Sequence, residues 1–339
     1  MQYVNAQINN IEELPKVELH LHLDCSLSFD VVSKISPDIS ANEYKSKFIG
    51  PQKCYSLDEI LSYVTNQVNL MQTEYNLRLV VKDLFDQLKR ENVIYAEIRF
   101  APLLHLANGL KAEEVVEIVA DEVTECSKET GIKTGIILCT LRHYSEKESL
   151  QTVELVKRYI DNTPVAGFDI AADEGSYPID ENKEAFLYAI KHDLPRTAHA
   201  GEAKGPESIW ETINNFQPAR IGHGVRCIEE PALIEHLKLN HIHLEICPTC
   251  NIQTNIFEQY KNHPIDFLYN SGLSVGVNTD GRTLANVTLS EEYKILINVF
   301  NWGVDHFMKC NLNAISKAFL SESDKKILAK KIIDSYSKQ

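Results

Sequence analysis

The feature that most constrains the fold of this chain is a repeated alternation of short apolar runs with longer helical stretches. Helix-like periods such as Ala112–Thr130 and Leu150–Tyr159 separate the runs. Strands that alternate with helices pair in parallel, and eight such units close into a barrel. The sequence therefore predicts an α/β fold, a (β/α)8 TIM barrel. Its strand-like runs are Val17–Asp24, Val93–Pro102, Lys133–Arg142, Val165–Glu174, Arg196–Glu202, Arg220–Arg226, His243–Cys250 and Leu273–Asp280.

One stretch is too long for the bare repeat. Ser28–Arg90 exceeds a single crossover helix, so we expect a helical insertion after strand 1, over the C-terminal mouth of the barrel where lids form. Inside it, Leu57, Ile60, Leu61 and Val64 have the spacing of one helix face. That spacing suits a lid and ordinary core packing equally well.

The tail after Phe307 also has a helical pattern, so we expect C-terminal helices outside the barrel. Ser321 and Asp324 have the spacing of a capping box before a last helix at Lys325–Tyr336. No linker, low-complexity tract or charge block divides the 339 residues. We predict a single domain over residues 1–339, with its catalytic region at about 14–336.

Charge and composition limit the expected partners. The formal net charge of −14 repels polyanions, so we expect neither nucleic acid nor a membrane as a partner. No segment has the long apolar run of a membrane span, and residues 1–16 lack the pattern of a secretory leader. The eight cysteines are scattered, which favours reduced thiols and a cytoplasmic location.

Cys247 and Cys250 form a C-x-x-C sequence. A redox or metal role for such a pair needs a second pair or a helix N-terminus, and here the pair ends a strand-like run. We therefore expect neither role.

His20 and His22 are the first sign of a metal site. Side chains at i and i+2 of a strand share a face, here the barrel interior, so two imidazoles converge near its mouth. Such a pair suits Zn²⁺, although two hydrogen-bonded core histidines would show the same pattern.

Three further strand ends favour the metal interpretation. His199 and Glu202 end strand 5, His223 lies in strand 6 and Asp280 ends strand 8. Barrel enzymes hold their catalytic groups at these strand ends. Burying so many ionisable groups together without a compensating ion is costly, so we predict a metal-dependent active site.

The ligand types narrow the chemistry. Nitrogen and oxygen ligands without thiolate suit Zn²⁺, and also Fe²⁺, Mn²⁺ or Co²⁺. Glu202 and His223 remain for proton transfer and orientation, which suits hydrolysis at an electrophilic carbon. Four residues are enough to hold the ion: His20, His22, His199 and Asp280.

Four motifs, in this order, resemble the adenosine deaminase family of amidohydrolase-type purine deaminases: KVELHLHLD, RTAHAGE, RIGHGVR and VNTDG. The resemblance runs from about Leu14 to Tyr336 and is weakest over Ser33–Cys54. It implies hydrolytic deamination of a small purine nucleoside in purine salvage. Adenosine is the expected substrate, with 2′-deoxyadenosine a second, and inosine and ammonia are the expected products of adenosine.

The resemblance also implies roles for single residues. The four ligands named above would bind one Zn²⁺ per chain. Glu202 would protonate purine N1, His223 would orient and stabilise the attacking oxygen, and Asp280 would help to take a proton from the attacking water. Asp24 would hold the ribose 5′-hydroxyl. The substrate-binding residues would be His22, Asp24, Ala172 and Gly281.

Three positions depart from the family pattern. Cys25 stands where the family has glycine, and we expect it only to fill space. Ala172 replaces a glycine whose backbone N–H meets purine N3. Gly281 replaces an aspartate that contacts purine N7, so a backbone group, a water, Arg282 or Asn286 takes over, or purine recognition differs. One lost hydrogen bond costs about 0.5–1.5 kcal/mol, which weakens catalysis without abolishing it.

The other histidines give little functional signal. His143 and His243 lie near strands and suit either the core or the surroundings of the site. Five more fall in loops or helix patterns, where we expect them to be solvated: His105, His192, His236, His263 and His306.

A sister deaminase on the same scaffold is the main alternative. It would act on adenine or on a modified adenosine such as aminodeoxyfutalosine. Such relatives tend to carry glutamate at the position of Asp24, so the aspartate favours a nucleoside with a free 5′-hydroxyl, while Gly281 leaves the question open. AMP is disfavoured because the sequence shows no basic phosphate-binding cluster.

Two more distant alternatives are less favoured. A lactonase or phosphotriesterase would bridge two metals with a carboxylated lysine after strand 4, where this chain has Asp173 and Glu174. A catalytically dead binding protein would not need all six chemical residues, and all six are present.

Overall fold

The computed structural model describes residues 11–338. Residues 1–10, which belong to the stretch without a leader pattern, lie outside this range. The described chain contains eight parallel strands in the predicted order. Their bounds are β1 Lys16–His22, β2 Val93–Phe100, β3 Lys133–Leu141, β4 Val165–Ala171, β5 Thr197–Ala200, β6 Arg220–His223, β7 His243–Ile246 and β8 Val275–Val277.

The strands close into a barrel through two seams. β1–β4 and β5–β8 each pair in order. Phe168 bridges to Arg196 at one seam, and Leu21 bridges to Asp280 at the other. At the second seam His22 N donates to Asp280 O at 2.9 Å. The predicted (β/α)8 barrel is thus confirmed, and its closure brings the first strand beside the residues that follow the last.

Fifteen helices surround the barrel in the described residues. Their bounds are α1 Phe29–Ile35, α2 Ala41–Lys47, α3 Leu57–Leu61, α4 Val64–Leu70, α5 Glu74–Arg90, α6 Ala112–Thr130, α7 Glu146–Tyr159, α8 Lys183–Lys191, α9 Pro206–Phe216, α10 Pro231–Leu239, α11 Pro248–Gln253, α12 Ile265–Asn270, α13 Leu289–Phe300, α14 Val304–Lys317 and α15 Glu322–Tyr336.

The insertion after strand 1 is confirmed as helical and contains α1–α5. The expectation that Leu57 and Val64 share one helix is wrong, because α3 ends at Leu61 and α4 begins at Val64. Tyr63 N donates to Ile60 O, a bond over three residues that tightens the chain at this point. The segment predicted as a lid helix is therefore two short helices joined by a turn.

The predicted cap of the last helix is confirmed, although the helix itself starts earlier than predicted. The Ser321 hydroxyl accepts a hydrogen bond from Asp324 N, which caps the first turn of α15. The helix starts at Glu322, three residues before the predicted boundary.

The strand-like run His243–Cys250 was predicted too long, and this changes the setting of the C-x-x-C pair. β7 ends at Ile246, Cys247 precedes α11, and Pro248 occupies the first helical turn, where proline is favoured. The pair therefore does lie at a helix N-terminus, contrary to the prediction. Burial raises the pKa of both thiols well above the usual value, so both stay protonated.

A continuous apolar core fills the space between barrel and helices, from Ile11 to Tyr336. All eight cysteines lie in the described range, and they are buried and unpaired. Among residues 11–338, no helix has both the length and the apolar character needed to cross a bilayer.

Candidate active site

Six predicted residues meet at the C-terminal mouth of the barrel: His20, His22, His199, Glu202, His223 and Asp280. The turns after the strands aim several of them. His223 and Asp280 have φ values of +60° and +66°, and Ala172, after β4, has +76°. Non-glycine residues rarely adopt this left-handed region, and such positions cluster at functional sites. At three strand ends, a left-handed backbone conformation therefore sets the direction of the residue at the barrel mouth.

The four predicted metal ligands face one another with their imidazole nitrogens and a carboxylate. His22 Nε2 lies 3.2 Å from His199 Nε2 and 3.3 Å from Asp280 Oδ1. His20 Nε2 lies 3.6 Å from Asp280 Oδ1 and has no hydrogen-bond partner. Ligands of a tetrahedral zinc ion stand about 3.3–3.4 Å apart, given Zn–N bonds of about 2.0–2.1 Å. These three distances are close to that spacing. Among residues 11–338, the sets of three possible ligand atoms that lie within 4.8 Å of one another are His20, His199 and His223; His20, Cys247 and Asp280; and Glu202, Cys250 and Asp280.

Two buried carboxylates beneath the proposed ligands bind the Nδ1 atoms of His20 and His199 and so orient the two rings. His20 Nδ1 lies 3.1 Å from Glu245 Oε2, and His199 Nδ1 lies 3.1 Å from Asp169 Oδ2. Each Nδ1–H donates to its carboxylate, so the Nε2 atoms of both rings point into the cluster. Arg99 holds the two carboxylates in place, at 2.6 Å from Asp169 and 2.7 Å from Glu245. The buried carboxylates thus orient two of the four proposed ligands.

These carboxylates stay ionised although they are buried. Burial would raise the pKa of Glu245 and of Asp169, but Arg99 and the adjoining imidazoles outweigh it and hold both values low. Burial lowers the pKa of His22 and His199, which keeps both rings neutral and able to bind a metal.

Glu202 has the opposite environment. Burial raises its pKa well above the usual value, and the negative charges of Asp280 and Glu174 add to the effect. Its Oε2 lies 3.5 Å from His223 Nε2, and its Oε1 accepts from Cys250 Sγ at 3.7 Å. The site therefore holds a buried carboxyl whose environment favours the protonated form, two residues beyond the end of β5.

The turn that carries Glu202 is held by a single buried carboxylate. Glu174 accepts the backbone N–H groups of four consecutive residues, 201–204, at 2.6–3.0 Å. It also accepts the hydroxyl of Ser208. Gly201 has φ +69°, and a Cβ there would lie 2.3 Å from Ile209 Cδ1. A glycine and an anion together shape this turn.

His223 completes the cluster. Burial lowers its pKa well below the usual value, so the ring is neutral. Its Nε2 faces Glu202 Oε2 at 3.5 Å and Asp280 Oδ2 at 3.7 Å, and its Nδ1 lies 3.1 Å from Asn251 Nδ2.

A cavity of about 490 Å³ opens over these groups. The lid residues Leu57, Ile60, Leu61 and Val64 all line it, together with Ala172. Its acidic members are Asp24, Asp58, Asp173, Glu202 and Asp280. Among its described lining residues none is lysine or arginine. The acidic side chains lie on both the barrel and α3, and this negative lining disfavours a phosphate group.

Asp24 lies in this wall and is almost fully buried. Its Oδ2 accepts the backbone N–H of Ala101 at 3.1 Å, and its Oδ1 lies 3.3 Å from His105 Nε2. The expectation that His105 is solvated is therefore wrong: the ring is fully buried between Asp24 and Met71 O, because the short helix at 102–105 packs under the lid.

His263 is the second histidine for which exposure was wrongly predicted. It is buried against Asn251 and the backbone of Ile265. His192, His236 and His306 are half-buried rather than solvated.

Two other histidines had no firm prediction. His143 is exposed at the cavity mouth. His243 is buried beside Ser274 at the start of β7.

Cys25 and Gly281, the two residues that differ from the family pattern at positions 25 and 281, lie against each other. A Cβ at Gly281 would lie 2.7 Å from Cys25 Cβ and 3.1 Å from Leu284 Cβ. Cys25 lines the cavity, whereas Gly281 is not among its lining residues. Of the predicted substrate-binding residues, His22, Asp24 and Ala172 do line it. The side chain that position 281 lacks is thus matched by the extra side chain at position 25.

Sequence reasoning missed Arg99, Asp169, Glu245 and Asn251. The first three carried a usable signal, since each is a charged residue inside an apolar strand-like run, where burial is costly unless the charge is paired. Asn251 carried none, because an asparagine after a strand is ordinary turn chemistry.

Known proteins resemble this chain over nearly its whole length. The family described as Adenosine deaminase matches residues 15–335. Adenosine deaminase of Clostridium acetobutylicum is 34% identical over 336 residues, 97% of this chain and 99% of that protein.

Solved structures share the fold. Adenine deaminase from Arthrobacter aurescens has a TM-score of 0.88 at 24% identity, covering 96% of this chain and 100% of that one. A zinc-bound amidohydrolase from Burkholderia ambifaria has a TM-score of 0.87 at 20% identity, covering 97% and 94%.

The barrel and the converging imidazoles at its mouth define a hydrolase of the metal-dependent amidohydrolase class. The family match over residues 15–335 and the 34% identity over nearly the full chain then narrow that class. The chain belongs to the adenosine deaminase family.

Proposed function

We propose that this enzyme is a zinc-dependent deaminase that converts adenosine, and also 2′-deoxyadenosine, to inosine or deoxyinosine and ammonia in purine salvage. The observation that carries the proposal is the meeting of a buried carboxyl, Glu202, with His223 and the three imidazoles beside Asp280 at one acidic cavity. A purine amidine needs these two elements: a proton for the ring and a strong oxygen nucleophile for the carbon.

The proposed zinc ligands are His20, His22, His199 and Asp280. The unpartnered His20 Nε2 and the 3.2 Å approach of His22 Nε2 to His199 Nε2 support them. A divalent ion bound there would lower the pKa of water toward neutrality. Imidazole and carboxylate ligands suit zinc, and a solved amidohydrolase with the same fold contains bound zinc.

The remaining residues divide the proton chemistry. Glu202 donates its proton to purine N1, which makes C6 electrophilic. His223 donates a hydrogen bond to the oxygen that attacks C6, and Asp280 accepts a proton from the attacking water. The water oxygen adds to C6, the proton held by Asp280 passes to the amine, and the C–N bond breaks to release ammonia. Loss of the C6 hydroxyl proton to Glu202 restores the carboxyl and leaves a C6 carbonyl.

Substrate binding is proposed for four positions. Asp24 binds the ribose 5′-hydroxyl, and the backbone N–H of Ala172 binds purine N3. His22 borders the purine, whereas Gly281 does not line the cavity and acts only through its neighbour Cys25. The acidic wall without lysine or arginine supports an uncharged nucleoside over AMP.

A deaminase for adenine or a modified adenosine is the second candidate. The contact between Cys25 and Gly281 favours this second candidate. Where the family has an aspartate side chain, this chain has a small uncharged surface formed by these two residues. Burial raises the pKa of the Cys25 thiol, so the wall stays uncharged.

One catalytic domain would carry the activity, since a single apolar core runs from Ile11 to Tyr336. A cytoplasmic location is proposed as well, because all eight cysteines are unpaired.

A substrate panel tests the proposal. Purified enzyme is assayed by ultraviolet absorbance with adenosine, 2′-deoxyadenosine, adenine, aminodeoxyfutalosine and AMP. We expect the highest kcat/KM for adenosine. Turnover of adenine without turnover of adenosine would transfer the assignment to the second candidate, and turnover of none would reject both.

A further inference from the structure

Three hydrogen bonds link His223 to a backbone N–H outside the active site. Ile265 N donates to His263 Nδ1 at 3.2 Å. His263 Nε2 lies 3.2 Å from Asn251 Oδ1, and Asn251 Nδ2 lies 3.1 Å from His223 Nδ1. The chain of contacts connects the start of α12 through α11 to the end of β6.

The backbone N–H of Ile265 fixes the donor-to-acceptor order of these three hydrogen bonds. A backbone N–H can only donate, so His263 Nδ1 accepts and carries no proton. A neutral imidazole holds one proton, which therefore lies on His263 Nε2 and is donated to Asn251. The asparagine must present its oxygen to His263 and its amino group to His223. A flipped amide would face His263 with a second donor and leave that ring without any proton.

The orientation of Asn251 also fixes the tautomer of His223. Its Nδ1 accepts from Asn251, so its proton lies on Nε2, the nitrogen that faces Glu202 and Asp280. A ring in this tautomer donates a hydrogen bond into the cavity and has no lone pair there to accept a proton.

We propose that Asn251 and His263 are positioning residues that hold His223 in its Nε2–H tautomer. The inference rests on the proposed function, because it assigns His223 as a hydrogen-bond donor to the attacking oxygen rather than as the base. Asp280 is then the group left to accept the proton of the attacking water.

Burial supports the relay. His223, Asn251 and His263 are all at most 3% exposed. Burial also lowers the pKa of His263 to about 3, so its ring is neutral at working pH. In a water-poor environment a directional chain of bonds is not scrambled by exchange with solvent.

Asn251→Asp is the sharpest variant. A carboxylate of nearly the same shape still accepts from His263 Nε2–H, but toward His223 it can only accept. It therefore draws the His223 proton to Nδ1 and inverts the tautomer. We expect kcat to fall by at least about 100-fold with little change in KM, since the wrong imidazole tautomer can cost on the order of 10⁴-fold. His263→Phe, which frees the amide to flip, should lower kcat by less.

The tautomer itself is read by ¹⁵N NMR on histidine-labelled holoenzyme, with the His223 signal assigned by its loss in His223→Gln. Wild type should show protonated Nε2 and unprotonated Nδ1, and Asn251→Asp should reverse them. His243→Gln is the matched control, another fully buried histidine that lies at the opposite end of the barrel. It should leave kcat and the His223 signal unchanged.

A double variant separates positioning from general loss of structure. In a His223→Ala background, Asn251→Asp should lower kcat by less than about threefold further, because the residue through which it acts is gone. Full additivity of the two losses would overturn the relay, as would a wild-type His223 protonated on Nδ1. If the tautomer behaves as expected but adenosine is not turned over, the proposed function fails and the relay stands.

Discussion

At the scale of single residues, Glu202 is the side chain whose environment most departs from that of an ordinary carboxyl. We predict that Glu202→Gln lowers kcat by about 10²–10⁴-fold, because it removes the proton donor to the purine ring. The metal should remain bound, since the proposed ligands are untouched. Steady-state kinetics with metal analysis on the same preparation measures both.

Glu207→Gln is the control for that change. Glu207 lies five residues further along, is exposed, and accepts only the N–H of Gly205 at 3.0 Å. Its variant should keep wild-type kcat within about twofold, as surface substitutions usually do. Near-normal activity in Glu202→Gln would refute the proton-donor role.

The contact between Cys25 and Gly281 gives a second prediction. Gly281→Asp alone should destabilise the fold by about 1–3 kcal/mol, because the new Cβ would lie 2.7 Å from Cys25 Cβ. The double variant Cys25→Gly/Gly281→Asp should regain most of that loss. Urea unfolding of the four proteins of this cycle provides the test. Equal stability of Gly281→Asp and wild type would show that Cys25 does not occupy the space.

At the scale of elements, the turn between β5 and α9 depends on Glu174. We predict that Glu174→Gln accelerates amide hydrogen exchange at residues 201–204 and lowers kcat by about 100-fold, the usual cost of a misplaced catalytic group. An amide has one acceptor oxygen, so either the N–H of Gly201 with Ser208 or the other three N–H groups lose their partner. Unchanged exchange at these four amides would contradict the assignment.

Helices α11 and α13 meet at another buried carboxyl, Glu292. Burial raises its pKa to about 8, and Thr249 N donates to its Oε1 at 2.9 Å. A carboxyl with a raised folded-state pKa ionises first in the unfolded chain. Its contribution to stability is therefore complete below about pH 4.5 and is lost as pH rises through about 8.

Glu292→Gln isolates this group. Relative to wild type, the variant should gain free energy of unfolding between pH 5 and pH 9, on the order of 1–4 kcal/mol. Chemical unfolding of both proteins across this range measures the difference. A gap that stays constant with pH would mean that Glu292 is ionised in the folded protein.

The starts of most strands were predictable from the runs of apolar and β-branched residues. Five strands begin at the predicted residue: β2, β3, β4, β6 and β7. The strand ends were not predictable. The runs continue in sequence through Glu202 and Asp280, whereas β5 stops at Ala200 and β8 at Val277. Left-handed turns end the strands there, and Asp280 gives no local signal that its φ is positive.

The candidate site divides in the same way. The convergence of His20, His22 and His199 could be predicted from the sequence, because they lie on strands whose alternation fixes which side chains face inward. The burial of His105 and His263 could not, because it depends on which loops pack over them. Hydrogen-bond networks between distant segments have no local pattern for a sequence to show.

At the scale of the whole molecule, the barrel interior is a network of ion pairs rather than a purely apolar core. Arg99, Arg220 and Arg282 each pair with two carboxylates contributed by different parts of the chain. Removing one partner of such a buried pair typically costs about 3–5 kcal/mol. The pairs made by Arg99 lie directly beneath His20 and His199, so these contacts stabilise both the fold and the geometry of the proposed metal site.

The central claim is that this barrel brings three imidazoles and a carboxylate around one ion that the reaction requires. Titration of zinc into chelator-stripped enzyme, with adenosine deamination as the readout, tests it most directly. The stripped enzyme should be inactive, and the rate should rise linearly and level off at one zinc per chain. Full activity without metal, or a rate that levels off only at two ions per chain, would contradict the account.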